Sequence, residues 1–172
     1  YCAQSKDSQA EIEKYKRVSD EKLYGDNDLV DEKHLARHCI GLSGIGFSDE
    51  EIEDLADRIR EMKKKDTQIC CSIGFLTEKQ ARILKDAGLD RINHNLNSSR
   101  SFYPEICTTH TYDQRVNNIK MLQSLGFEIC SGGIVGMGES KEDIVDMLMD
   151  LREINPESVP INFLLPIPGT RL

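Results

Sequence analysis

Three cysteines each sit inside a short apolar stretch that reads as a strand. They are Cys39 in His38-Cys39-Ile40, Cys70 in Ile69-Cys70-Cys71 and Cys130 in Ile129-Cys130-Ser131. Helical segments separate these stretches, so parallel packing brings the three thiols to one end of one sheet. Thiols arriving from separate strands point to a metal or iron–sulfur site. A fourth, Cys2, lies in Tyr1-Cys2-Ala3-Gln4-Ser5, where the chain opens without a Met, so a missing front end is expected. Cys71 and Cys107 read as buried small hydrophobes.

Polar side chains add to this set. In Asp90–Asn97, Asn93, Asn95 and Asn97 alternate with His94 and Leu96, so strand geometry predicts that the three amides share a face. Such amides need partners, and a polar ligand at a sheet end provides them. The alternative is an exposed polar face. His94, of opposite parity, reads as a packed structural histidine. Arg115 falls in the first turn of a helix, where a guanidinium can pair with a ligand carboxylate; taken without context, a surface ion pair with Asp113 or Glu105 is the better reading. Asn162, between Ile161 and Phe163, reads as a buried amide that needs a partner. Cys130 to Glu139 is a strand running into a glycine-rich turn with GxIxGxxE spacing at Gly132, Ile134, Gly136 and Glu139. Glycines there permit close ligand approach, and the free N–H groups of the next helix can meet an anion. No G-x-G-x-x-G or Walker A pattern suggests a dinucleotide or a nucleoside triphosphate.

The elements that must position these groups are legible from residue 36 onward. Strands are expected at Cys39–Leu42, Gln68–Phe75, Asp90–Asn97, Phe127–Gly136 and Ser158–Leu165. Helix starts are marked by Ser48 with Glu51, Thr77 with Gln80 and Thr111 with Gln114, three capping boxes, and by Ser140 with Asp143, a close variant. Apolar stripes follow at Ile52, Leu55, Ala56 and Ile59, at Ile119, Leu122 and Leu125, and at Ile144, Val145, Leu148 and Leu151. Gly88 and Gly126 stand just past helix ends. Five strands and four helices read β-α-β-α-β-α-β-α-β, an α/β chain with a parallel sheet. Two closures fit, an open doubly wound sheet or part of an eight-stranded barrel, and both bind ligands at the C-terminal strand ends. Residues 6–35 are the least regular, and Tyr24-Gly25-Asp26-Asn27-Asp28 reads as a turn.

The 172 residues suffice for one domain with a core, and the net charge of -8 argues against a nucleic-acid partner. No apolar run approaches the ~20 residues that span a bilayer, so no membrane partner is expected. Six cysteines without an export signal point to a reducing compartment, the cytoplasm.

The strings Tyr1 to Ser5, Asn93 to Asn97, Thr108 to Tyr112, Cys130 to Glu139 and Ser158 to Asn162 together resemble the biotin synthase family of radical S-adenosylmethionine enzymes. The resemblance runs nearly the whole length and weakens only across residues 20–47. It implies a partial (β/α)8 barrel as a single domain over 1–172, with 1–35 a cluster-loop remnant and irregular segment and 36–172 the β/α repeats. It implies a [4Fe–4S] cluster held in part by Cys2, a [2Fe–2S] cluster on Cys39, Cys70 and Cys130, and S-adenosylmethionine. Tyr1, Asn95, Asn97, Arg115, Ile134 and Gly136 match that cofactor's contacts, with Arg115 on its carboxylate. Asn97 stands where some members carry an acid. Asn93, Asn95 and Asn162 match positions near dethiobiotin. The implied reaction is radical insertion of sulfur into dethiobiotin, with a flavodoxin-type electron donor and a homodimer. The resemblance further implies that cluster-loop cysteines and outer strands are absent from this chain, an internal fragment expected to be inactive alone. Two alternatives stay open, another biotin-synthase-like radical enzyme and a non-catalytic remnant.

Overall fold

The computed structural model describes residues 2–5, 8–13 and 17–172. Along them run α1 (Asp20–Glu32), β1 (His38–Gly41), α2 (Asp49–Met62), β2 (Ile69–Ser72), α3 (Glu78–Asp86), β3 (Arg91–Asn93), α4 (Tyr103–Ile106), α5 (Tyr112–Ser124), β4 (Glu128–Cys130), β5 (Gly133–Val135), α6 (Lys141–Ile154) and β6 (Ile161–Phe163). They group into two compact units. One holds Lys16–His94 and Asn118–Ile129; the other holds Tyr1–Tyr15, Asn95–Asn117 and Cys130–Leu172.

The first unit is built on a sheet of order β1-β2-β3-β4, which β4 leaves at Cys130, where the chain enters the second unit. Strands β1, β2 and β3 are parallel, with Cys39 opposite Cys70 and Cys70 opposite Arg91. Register partners in parallel strands share a face, and the face alternates along each strand. Cys39, Cys70 and Arg91 therefore form one row, while Ile40, Cys71 and Ile92 form the row behind it. Ile69, Cys71, Ile92 and Ile129 are fully buried. Helix α2 adds Ile52, Leu55, Ala56, Ile59 and Met62 to the core, and α3 adds Ala81 and Leu84. Each large apolar side chain so buried stabilises the fold by about 1.5–3 kcal/mol.

The helix starts read from sequence are present. Full capping boxes close α2 at Ser48 and Glu51, α3 at Thr77 and Gln80, and α6 at Ser140 and Asp143. Thr111 and Gln114 make the same reciprocal pair ahead of α5. Gly88 (φ 98°) and Gly126 (φ 79°) take the left-handed conformation expected just past α3 and α5.

Three expectations are corrected. Residues 24–28 are not a turn but the middle of α1. Ser19 accepts from the Lys22 N–H, and Asp20 and Glu21 sit in the first turn, where the dipole favours acids. Leu23 and Asn27 are buried. The Asn27 amide donates to the Met62 carbonyl at 3.2 Å, and its oxygen lies 3.2 Å from His38 Nδ1. Tertiary partners thus satisfy a side chain that would otherwise compete for its own backbone. The strand expected over 127–136 is two, β4 and β5, interrupted at Ser131-Gly132. On α6 the buried residues are Met147, Leu151 and Ile154, whereas Val145 and Leu148 of the expected stripe are exposed. Gly133 selects that face, because Met147 packs directly over its Cα. The short helix α4, with a proline in its first turn, was not signalled by any periodicity.

The second unit pairs β5 with β6 in parallel, Gly133 opposite Ile161 and Ile134 opposite Asn162. Parallel bridges at Asn97–Gly133 and Cys130–Ser158 extend it on either side.

Candidate functional site

In the first unit, adjacency and parity put Cys39 and Cys70 side by side on one face. Cys39 is exposed and Cys70 is buried. Cys71 faces the opposite way, is fully buried, and burial pushes its thiol up to about 12. By register and parity it is Cys70, and not Cys71, that shares a face with Cys39. The same row carries charge at Arg91, opposite Cys70. Arg91 clamps Glu128 with Nε at 2.9 Å and a terminal nitrogen at 2.6 Å, and Arg37 reaches the same carboxylate oxygen at 3.2 Å. Alternation along β4 puts Cys130 on the side of Glu128, and its thiol is half-buried. Among the described residues, no three His, Cys, Asp or Glu side chains are grouped closely enough to hold a metal ion. Cys2 is exposed, on a turn closed by the Ser5 N–H donating to its carbonyl.

The strand expected over Asp90–Asn97 is shorter in the structure. Strand β3 stops at Asn93, and Asn97 turns left-handed at φ 73°. Asparagine tolerates that conformation better than most residues. His94 is buried, edge-on to Phe75 at 5.1 Å, the packed histidine expected.

The second unit brings Asn95, Asn97, Ile134 and Gly136 together around the glycine turn. Asn95 Oδ1 accepts from the Gly132 N–H at 3.0 Å. The Asn97 N–H donates to the Gly132 carbonyl at 3.0 Å, and the Asn97 carbonyl accepts from Ile134 at 2.9 Å. A Cβ on Gly132 would lie 1.8 Å from the Pro160 carbonyl oxygen, so only glycine fits there. Gly136 and Gly138 have φ of 100° and 106°, where side chains are strained. The Glu139 carboxylate accepts from the Gly136 and Met137 N–H groups at 2.6 and 2.7 Å. Beyond this turn α6 starts in a reciprocal cap: Ser140 Oγ accepts from the Asp143 N–H at 3.1 Å, and the Asp143 carboxylate accepts from the Ser140 N–H at 3.0 Å. Hydrogen bonds from Ser140, Ser99 and Ser101 hold Asp143 well below the usual carboxylate range.

Asp113 pairs with Arg100, and Arg115 is held in a different set of hydrogen bonds. Its Nε donates to the Tyr103 hydroxyl at 2.8 Å and one terminal nitrogen to the Asn95 carbonyl at 2.9 Å. The other terminal nitrogen lies 2.7 Å from His110 Nε2. Burial, joined by the Arg115 charge, pushes His110 down to about 4. Burial also raises Tyr103. Cys107 is half-buried beside His110. Burial works to raise its thiol, but hydrogen bonds with Thr109, His110 and Tyr103 outweigh this and lower it, so it is not the inert hydrophobe expected. Asn162 is exposed, as is all of β6, which corrects its reading as a buried amide. Tyr1 lies outside the described residues. Sequence reasoning missed Tyr103 and His110. The one available signal was a tyrosine, a histidine and an arginine crowded within Tyr103–Arg115.

A sequence profile of the Radical SAM superfamily matches residues 1–151. The chain belongs to that superfamily, which implies S-adenosylmethionine and a [4Fe–4S] cluster as cofactors. It is similar to the biotin synthase of Sulfurihydrogenibium sp. (strain YO3AOP1), 43% identical over all of this chain and 52% of that protein. It is likewise 47% identical to the biotin synthase of Acaryochloris marina, over 98% of this chain and 49% of that protein, and 41% identical to that of Bacillus subtilis, over 100% and 52%. The chain thus spans about half the length of the curated relatives it matches. Among solved structures, methylornithine synthase superposes with a TM-score of 0.79 at 18% identity, covering 94% of this chain and 48% of that one. The hydrogenase maturase HydG from Carboxydothermus hydrogenoformans gives 0.68 at 17% identity, over 91% and 39%. These likenesses establish the fold class as α/β, a partial barrel of the (β/α)8 type. No helix among the described residues is long and apolar enough to cross a membrane.

Proposed function

We propose that this chain carries the central part of a biotin synthase, which in full converts dethiobiotin to biotin by radical sulfur insertion. The observation that carries the reading is 41–47% identity to biotin synthases across essentially the whole chain. The register pairing of Cys39 with Cys70 supports it from the structure.

When bound, the [4Fe–4S] cluster supplies the electron that cleaves S-adenosylmethionine, and a [2Fe–2S] cluster supplies the sulfur. Cys2 is the thiolate this chain offers to the first, and Cys39, Cys70 and Cys130 those it offers to the second. Arg115, held at three nitrogens, binds the S-adenosylmethionine carboxylate. Asn95 has its oxygen engaged by Gly132, which leaves its NH2 group to donate to a ribose hydroxyl, and the Asn97 amide does the same. Ile134 and the bare backbone at Gly136 make room for the adenine, with Tyr1 assigned beside it by resemblance. Asn93, Asn95 and the exposed Asn162 hydrogen-bond dethiobiotin. A flavodoxin-type protein is the electron donor, the compartment is the cytoplasm, and the protein pairs as a homodimer.

The test is anaerobic reconstitution of the protein at the length its cell makes, with iron, sulfide, S-adenosylmethionine and dethiobiotin. Biotin and 5′-deoxyadenosine are the expected products, and Cys39→Ser or Cys70→Ser removes the [2Fe–2S] absorbance while leaving that of the other cluster. Absence of 5′-deoxyadenosine with dethiobiotin present sinks the reading.

A further inference from the structure

Arg115 is tethered by a network that also fixes a proton. Its Nε donates to the Tyr103 hydroxyl at 2.8 Å, and that hydroxyl lies 2.8 Å from His110 Nε2. A terminal nitrogen of Arg115 lies 2.7 Å from the same Nε2. Guanidinium nitrogens only donate, so His110 Nε2 must accept and carries no proton. The proton then sits on Nδ1, which donates to Thr109 Oγ1 at 3.0 Å. The Tyr103 hydroxyl accepts from Arg115, and its own proton is shared between His110 Nε2, 2.8 Å away, and the Cys107 thiol. Tyr103 is 2% exposed, so its ring is held in place.

We propose that Tyr103 and His110 are positioning residues for Arg115: a buried phenol and a neutral, Nδ1-protonated imidazole that hold the guanidinium where it receives the S-adenosylmethionine carboxylate. This rests on the assignment of Arg115 to that carboxylate. An arginine left loose loses side-chain entropy on binding, and one held beforehand has already lost it. The neutral imidazole is essential to the arrangement, since an imidazolium would face Arg115 with an N–H donor at Nε2 and a like charge. Burial and the Arg115 charge both favour the neutral form.

The experiment measures equilibrium binding of S-adenosylmethionine and of its decarboxylated analogue to the cluster-loaded, full-length protein. Tyr103→Phe and His110→Leu each weaken S-adenosylmethionine about tenfold, the worth of one hydrogen bond to a charged group. Both leave the decarboxylated analogue unchanged. His110→Gln, whose amide oxygen accepts in place of Nε2, restores most of the affinity. In the nitrogen-15 spectrum, the Arg115 Nε–H signal is protected in the native protein and lost in Tyr103→Phe. Equal weakening of both ligands, or of neither, overturns the positioning role. Arg115→Ala separates the two claims. If it fails to discriminate the ligands, the carboxylate assignment and this proposal fall together. If it discriminates while His110→Leu and Tyr103→Phe do not, the positioning role alone falls.

Discussion

Replacing Gly132 by alanine isolates the contact on which the second unit is assembled. The new methyl would lie 1.8 Å from the Pro160 oxygen, 2.7 Å from its carbonyl carbon and 2.9 Å from its Cδ. All three belong to backbone or a rigid ring, so no rotamer change relieves the clash. The same carbonyl accepts the Gly133 N–H at 3.1 Å, while Gly132 itself bonds Asn95 through its N–H and Asn97 through its carbonyl. Separation of the two strands by an ångström or more breaks at least one of these bonds. Overpacking costs about 1–3 kcal/mol and each lost hydrogen bond about 1 kcal/mol, so Gly132→Ala destabilises the unit by about 3–4 kcal/mol. Gly133→Ala is the control. Its methyl meets Met147 Sδ at 2.1 Å and Cε at 2.5 Å, the end of a flexible side chain that can rotate away, and lies 3.3 Å from the Asn97 carbonyl oxygen, which a shift of a few tenths of an ångström relieves. The stiffer unfolded chain returns about 0.4–1 kcal/mol, leaving a net cost of about 1 kcal/mol. Urea unfolding, with hydrogen exchange at the Ile134 and Leu164 amides, reads both variants. If Gly132→Ala falls within 1 kcal/mol of the native chain, or Gly133→Ala costs as much, the assignment of the clash to backbone is wrong.

Burial depresses His38, with Asp26 opposing. Between its folded value and the ordinary 6.5, the unfolded chain binds the extra proton, so stability is full above 6.5 and falls on acidification below it. The melting temperature is expected to drop from pH 7 to pH 5, with a shallower slope in His38→Gln. Asn27→Ala strips partners from the buried Met62 carbonyl and His38 and costs about 2 kcal/mol in denaturant titration; no change would remove Asn27 as the anchor of α1. Iodoacetamide followed by mass spectrometry should label exposed Cys39 and leave Cys71 silent in the folded protein, since Cys71 is fully buried and raised to about 12.

Signals local to a few residues were readable from the sequence. Capping boxes and glycine stops rest on neighbours within four positions, and all stand in the structure. Helix α1 was hidden because the turn preference of Asn27 is overridden by Met62, 35 residues away. The break at Ser131-Gly132 was hidden because apolar residues flank it on both sides. Asn162 sits in an apolar string that is nonetheless exposed, and composition cannot tell an outward strand from an inward one. The pairing of Cys39 with Cys70, and so the choice against Cys71, depends on register between strands that no single strand encodes. The Tyr103–His110–Arg115 network gathers residues from α4, a loop and α5, with no period to betray it.

Glu139 fills the donor groups of the glycine turn. Adjacent backbone N–H groups in a left-handed turn form a concavity that commonly captures phosphate. Here the Gly136 and Met137 N–H groups already hold the chain's own carboxylate. A phosphorylated nucleotide would have to evict that carboxylate and then endure its charge. The turn has in effect swallowed its own counter-ion: the donors that elsewhere receive a phosphate are taken up by a carboxylate three residues on.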